Sequence, residues 1–136
     1  MDLSSLLKIS SAGMDAQGTR MRTIAENLAN ADATPGKPGE EPYKRKLVSF
    51  RNVLDREAGM RVLKADRIVT DKKEAQLRYD PSNPAADEKG YVKMPNVNSM
   101  IEIMDMRQAQ RSYEANLGVI EIAKNMIART IDILRG

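Results

Sequence analysis

Glu102 and Asp105, three residues apart, and the adjacent Glu40 and Glu41 are the closest approaches to a carboxylate site in the chain, and metal binding is the chemistry such pairs could serve. A hard cation needs several oxygens converging on one point, and neither pair has the spacing of a calcium loop. The chain contains no His and no Cys. That removes the usual general base near neutral pH, the usual metal ligand, thiolate sites and disulfides. Scattered Ser and Lys have no base to activate them, and no nucleophile elbow, Walker loop or dinucleotide fingerprint occurs. No enzyme activity, cofactor or metal centre is expected.

Two other polar groupings stand out. Lys44, Arg45 and Lys46 form a short basic run and with Arg51 could touch phosphate, although one solvated strand face accounts for them as well. The net charge of +3 is spread among interleaved Asp and Glu, so no nucleic acid partner is expected. Asn27, Asn30 and Asn116 carry amides on or beside helical seams. Paired hydrogen bonds there can fix register, and the alternative role is capping a helix end, above all for Asn30.

The elements that must position these groups are written in the apolar spacing. Leu7, Met14, Met21 and Leu28 recur every seven residues near the start of the chain, and Tyr113, Ile120, Ile127 and Leu134 do so near its finish. Such repeats mark helices that pack along their length. A helix over residues 3–31 would span about 40 Å and one over residues 99–135 about 55 Å. Ile24 joins the first stripe, while Ser10 and Gln17 interrupt its second register. Gly13 and Gly18 each weaken the first helix by about 1 kcal/mol relative to Ala, so either a neighbouring backbone comes close or this third of the chain frays or kinks. Ser99 and Glu102 have capping-box spacing, with Asn96 and Asn98 as alternative caps.

On a wheel of the last helix, Tyr113, Leu117, Ile127, Ile131 and Leu134 cluster around Ile120, while Val119, Ile122, Met126 and Ile133 form a second cluster beside them. The combined arc is about 200°, roughly twice what one packed face requires. The first helix can cover one cluster, and partner subunits or a folded-back middle segment must cover the other. With one Phe, no Trp and nine Met, the chain is poorly supplied for a monomeric core.

Between the helices, three Pro and two Gly in residues 34–42 admit neither helix nor central strand. Short β-forming stretches follow at residues 43–54, 60–64, 68–70 and 75–79, with residues 55–58 open to a helical turn, a rigid turn at 80–84 and an extended approach at 90–95. The fold class expected is mainly α, with long N- and C-terminal helices forming a coiled-coil hairpin and a small β-rich or extended middle. The expected boundaries are residues 1–34, 35–95 and 96–136. No run approaches the ~20 apolar residues of a membrane span, and the first residues lack the pattern of a cleaved signal peptide.

Several stretches then match something specific. Ser11-Ala12-Gly13-Met14, residues 25–30 with Thr34-Pro35-Gly36, and Asn96-Val97, Glu102, Met104 and Tyr113-Glu114-Ala115-Asn116 resemble the paired terminal signatures of the bacterial flagellar axial proteins, the rod and hook subunits. Residues 42–50, 79–84 and 90–92 resemble the proximal-rod members of that family. The chain departs from many relatives in placing three residues between Asn30 and Thr34 and in its long proline-rich loop. The resemblance implies a structural subunit of the driveshaft, exported unfolded through the flagellar type III apparatus without a cleaved signal and residing in the periplasmic rod. It implies as partners further copies of the chain, other rod subunits, and basal-body and export components at the rod base. The intramolecular seam is then expected at Leu7, Met14, Met21, Ile24, Leu28, Tyr113, Leu117, Ile120, Ile127, Ile131 and Leu134. A contact between subunits is expected at Val119, Ile122, Met126 and Ile133, and Asn27, Asn30, Tyr113, Glu114 and Asn116 carry the signature. The rival readings are a soluble helical-hairpin adaptor or chaperone and, less economically, a nucleic-acid module.

Overall fold

A computed structural model describes residues 3–136. Two helices flank four strands: α1 (Leu3–Ala29), β1 (Lys46–Asp55), β2 (Met60–Thr70), β3 (Gln76–Tyr79), β4 (Tyr91–Met94) and α2 (Ser99–Arg135). The strands form two antiparallel two-stranded sheets, β1 with β2 and β3 with β4. None of the described helices is long and apolar enough to cross a membrane.

Helix α1 runs until Asn30, whose amide nitrogen donates to the Glu26 carbonyl at 2.8 Å and so satisfies one of the carbonyls a helix end leaves open. Pro35 prevents any continuation. Helix α2 is capped by Asn98, not by Ser99. The Asn98 Oδ1 accepts from the backbone N–H groups of Met100 at 3.0 Å and Ile101 at 3.3 Å. Ser99 is the first helical residue, and the Glu102 side chain is directed inward instead of closing a capping box.

The middle is more regular than its sequence suggests. Strand β2 is a single run of eleven residues where two short pieces were expected, because no Gly or Pro breaks it. Residues 56–59 make a hairpin turn and not a helical one. Asp55 Oδ1 accepts from the amides of Glu57 (3.0 Å) and Ala58 (3.2 Å), and Gly59 supplies the φ of +63° the turn needs. The extended stretch before α2 is strand β4.

The chain divides into two compact units. The first comprises Met1–Met21, Val48–Arg67 and Arg107–Gly136. Here the two helices run antiparallel. A Cβ on Gly13 would lie 2.9 Å from the amide of Asn116, and Arg20 Nη2 donates to Gln108 Oε1 at 3.1 Å. Gly13 therefore permits a close approach, whereas a Cβ on Gly18 would meet nothing within 4 Å. Arg51 and Asp66 pair between β1 and β2 at 3.1 Å.

The second unit comprises Arg22–Leu47 and Ile68–Met106. Its β3–β4 ladder pairs Gln76 with Met94, Leu77 with Lys93, Arg78 with Val92 and Tyr79 with Tyr91. Alternation sends Val92 and Met94 inward onto Ala85, and leaves Tyr91 and Lys93 outward. The loop between the strands is tied by Asp87, whose Oδ1 accepts from the amides of Lys89 and Tyr91, both at 2.9 Å.

Candidate functional site

The side chains with the densest chemistry lie in the second unit, where four segments meet around Asn27, Arg45, Asn96 and Glu102. Asn27 sits near the end of α1 and is 1% exposed. Its Nδ2 donates to the Lys46 carbonyl at 2.8 Å and to Glu102 Oε2 at 3.0 Å. Its Oδ1 accepts from the Tyr43 hydroxyl and the Lys46 backbone N–H, each at 2.9 Å. An amide offers two donors and two acceptor positions, so this one is fully used.

Glu102 is likewise 1% exposed, in the first turn of α2. Its second oxygen accepts from Arg45 Nε at 2.5 Å. The same guanidinium reaches Asp105 Oδ2 at 3.2 Å and Asp71 Oδ2 at 3.7 Å, so three carboxylates surround one guanidinium. The backbone of Arg45 is pinned as well. Its N–H donates to Asn96 Oδ1 at 2.7 Å, its carbonyl accepts from the Asp71 N–H at 2.8 Å, and Asn96 Nδ2 donates to the Lys73 carbonyl at 2.9 Å.

At the rim, Lys46 pairs with Glu26 and lies over the Tyr43 ring, 5.8 Å from its centroid. The hydrogen bond to Glu26 holds the Lys46 ammonium above its ordinary range. Burial, reinforced by Glu26, pushes the Tyr43 phenol up. In the first unit the turn amides, that of Ala58 foremost, hold the Asp55 carboxyl below its ordinary range.

This arrangement ties the end of α1, residues 43–46, residues 71–73 and the start of α2 to one another. Among the described residues no three potential ligands group to hold a metal ion. The basic run read as a solvated face is divided: Lys44 is exposed, while Arg45 turns into the carboxylates and Lys46 pairs at the surface. Arg45 and Tyr43 were not legible as cluster members. The available signal was the i, i+3 spacing of Glu102 and Asp105, which puts two carboxylates on one helix face in need of a cation.

Ile24 is buried, and Leu7, Met14, Met21, Leu28, Tyr113, Ile120 and Ile127 are half-buried. Leu117, Ile131 and Leu134 are exposed. Val119 is half-buried and Ile122, Met126 and Ile133 are exposed. Of the signature residues, Asn30 caps α1, Glu114 is exposed, and Asn116 donates to the Ser112 carbonyl at 2.9 Å one turn back. The residues buried on α2 are instead Glu102, Ala109 and Ala123, spaced by seven and fourteen.

Both ends of the chain match models of flagellar families. Residues 7–36 match that of flagella basal body rod proteins, and residues 88–133 match that of the C-terminal region of the flagellar basal body rod FlgEFG proteins. The chain is similar over almost its whole length to proteins named flagellar basal-body rod protein FlgC. It is 47% identical to that of Agrobacterium fabrum, covering 98% of this chain and 96% of the relative. It is 40% identical to that of Aquifex aeolicus, with 97% of each covered, and 37% identical to that of Escherichia coli, with 98% of each covered.

Proposed function

The chain belongs to the FlgC family of flagellar basal-body rod proteins, and from that premise we propose that its helices build the rod by pairing within one copy and stacking between copies. It is a structural subunit of the rod and not an enzyme. The mechanism rests on one observation about α2. Its buried positions are Glu102, Ala109 and Ala123, while Ile122, Met126, Ile133 and Leu134 stand in solvent, the last two 80% and 81% exposed. Each large side chain left wet forgoes roughly 1.5 to 3 kcal/mol of burial, which neighbouring copies recover on assembly.

The approach of Gly13 to Asn116 and the Arg20–Gln108 bond in the first unit, with the Asn27–Glu102 bond in the second, support an antiparallel hairpin of coiled-coil type. In this reading Leu7, Met14, Met21, Ile24 and Leu28 on α1, and Tyr113, Leu117, Ile120, Ile127, Ile131 and Leu134 on α2, flank the seam. Val119, Ile122, Met126 and Ile133 meet the next subunit. Such helices, aligned along the rod, bear torque and surround the export channel. The remaining partners are other rod subunits and the basal-body and export components at the rod base. The chain resides in the periplasmic section of the rod and is exported without a cleaved signal, and a Cys-free sequence suits transit as an unfolded chain.

Met126→Asp tests this directly. The exposed site tolerates the charge, so the purified subunit is expected to keep its solubility and its unfolding midpoint. Incorporation, read as subunit recovered in isolated basal bodies and as motility, is expected to be lost. Normal rods from this variant would overturn the two-neighbour arrangement.

A further inference from the structure

The chain has nine Met and no Cys, so every sulfur atom it carries is a thioether. A thioether takes one oxygen from a peroxide to become a sulfoxide, polar where the parent was apolar. Exposure decides which of these sulfurs an oxidant in solution reaches. Met94 is buried at 7%, whereas Met100, Met104 and Met126 stand at 67%, 64% and 50%, and the remaining described methionines are half-buried. Met126 is the one exposed methionine among the described residues of the first unit.

The position of Met126 sets it apart from the other two. On α2 it follows Ile122 by four residues and precedes Ile133 by seven, and both isoleucines are exposed, so its sulfur lies within one apolar strip of the helix surface. Its backbone carbonyl is already satisfied a second time, by the Thr130 hydroxyl at 2.9 Å. Met100 and Met104 belong to the first turns of α2 in the second unit, outside that strip. Oxygen added there changes a different surface.

We propose that Met126 is an oxidation site that controls assembly: a peroxide converts its thioether to the sulfoxide in the free subunit, and the oxidised copy no longer joins the rod. The inference rests on the rod reading and names a regulation of the same α2 face. The sulfur lone pair attacks one oxygen of hydrogen peroxide, and an S–O bond forms as the O–O bond breaks. Sulfur loses two electrons, and the departing hydroxide takes the proton of the transferred oxygen and leaves as water. The new oxygen is a strong hydrogen-bond acceptor, and a close apolar contact excludes the water that would satisfy it. Burial therefore favours the thioether and opposes the sulfoxide. Once a neighbouring copy covers the sulfur, the same contact shields it from the oxidant.

Hydrogen peroxide is the probe. The purified subunit and isolated basal bodies are treated alike, and the oxygen gained at each methionine is read by peptide mass spectrometry. Met126 is expected to be oxidised ahead of Met94 in the free subunit and to be spared in basal bodies; equal oxidation of Met126 in the two overturns the proposal. Cells then express the unaltered chain together with Met126→Leu, which stays apolar and takes no oxygen. The ratio of the two in basal bodies cancels general damage by the oxidant, and it is expected to move towards Met126→Leu when peroxide is added. An unchanged ratio overturns the proposal, as does an equal movement towards Met100→Leu with Met104→Leu. Met126→Gln, polar like the sulfoxide, is expected to lower the subunit recovered in basal bodies about tenfold. Normal recovery of Met126→Gln beside loss of Met126→Asp overturns the oxidation site and leaves the rod contact standing, whereas normal recovery of both overturns the rod reading itself.

Discussion

The second unit and the outer stretch of α2 invert the usual arrangement of a globular protein in complementary ways. Around Arg45 the largest fully buried side chains include Glu102 and Asn27, whereas towards the end of α2 isoleucines, a leucine and a methionine stand in water. Buried ionic groups contribute little net stability against an apolar replacement of the same shape, yet removing one partner is costly. They accept a single geometry. Apolar side chains on a helix exterior contribute only when another surface arrives. On the proposed reading the contrast is a division of labour, in which polar groups fix how one copy is built and the exposed apolar groups serve what it joins.

The largest effect expected is on the polar side of that contrast. Glu102→Ala leaves the Arg45 guanidinium and the Asn27 amide without their shared partner, and a loss of about 3 to 5 kcal/mol is expected in urea unfolding of the purified chain. Glu102→Gln, which keeps the shape and an acceptor, should lose less. A change under about 0.5 kcal/mol for Glu102→Ala would mean the cluster is not formed in the free subunit, and would break the comparison.

A smaller effect separates the two helix glycines. Gly13→Ala drives a methyl into the Asn116 amide, and about 1 kcal/mol should be lost net of the gain in helix propensity. Gly18→Ala meets nothing and should gain about 0.5 to 1 kcal/mol. The loss at Gly13 should vanish in Gly13→Ala with Asn116→Ser. Equal effects at both positions would show that the close approach in the first unit is absent in solution.

The smallest effect is on pH dependence. Lys46 and Tyr43 have folded values raised above their ordinary 10.5 and 10.0, so their contributions are complete below those values and lost as pH rises through the folded ones. Asp55 is lowered from 3.8, so its contribution is present above that value and lost as pH falls through the folded one. Urea midpoints should therefore be flat between about pH 5 and 9 as far as these groups are concerned, and decline slightly above pH 10. Glu26→Gln should flatten most of the alkaline decline, since the Lys46 shift arises first from that hydrogen bond.

The two helices, their ends and the β-forming middle were legible because each depends on local chemistry. Seven-residue spacing sets the helices, Pro35 and the Asn residues bound them, and runs of β-formers between breakers mark strands. The signature residues led to the family because their identities, unlike periodicity, are specific. What α2 would bury was harder to read. Periodicity counts apolar side chains, whereas the buried positions are filled by Glu102, Ala109 and Ala123, and a close helix approach selects small residues over large ones.

The sequence by itself determined the two terminal helices and the family of structural rod subunits, since apolar spacing and signature residues are properties of the list of amino acids. Only the tertiary structure decided that Arg45 turns inward to three carboxylates, that Asn27 bonds the Lys46 backbone and Glu102 at once, and that Gly13 rather than Gly18 admits a neighbour. Those outcomes join residues far apart in the chain, Asn27 and Glu102 by 75 positions and Gly13 and Asn116 by more. Their energies depend on burial and on the direction of each donor, and neither quantity exists until the segments meet.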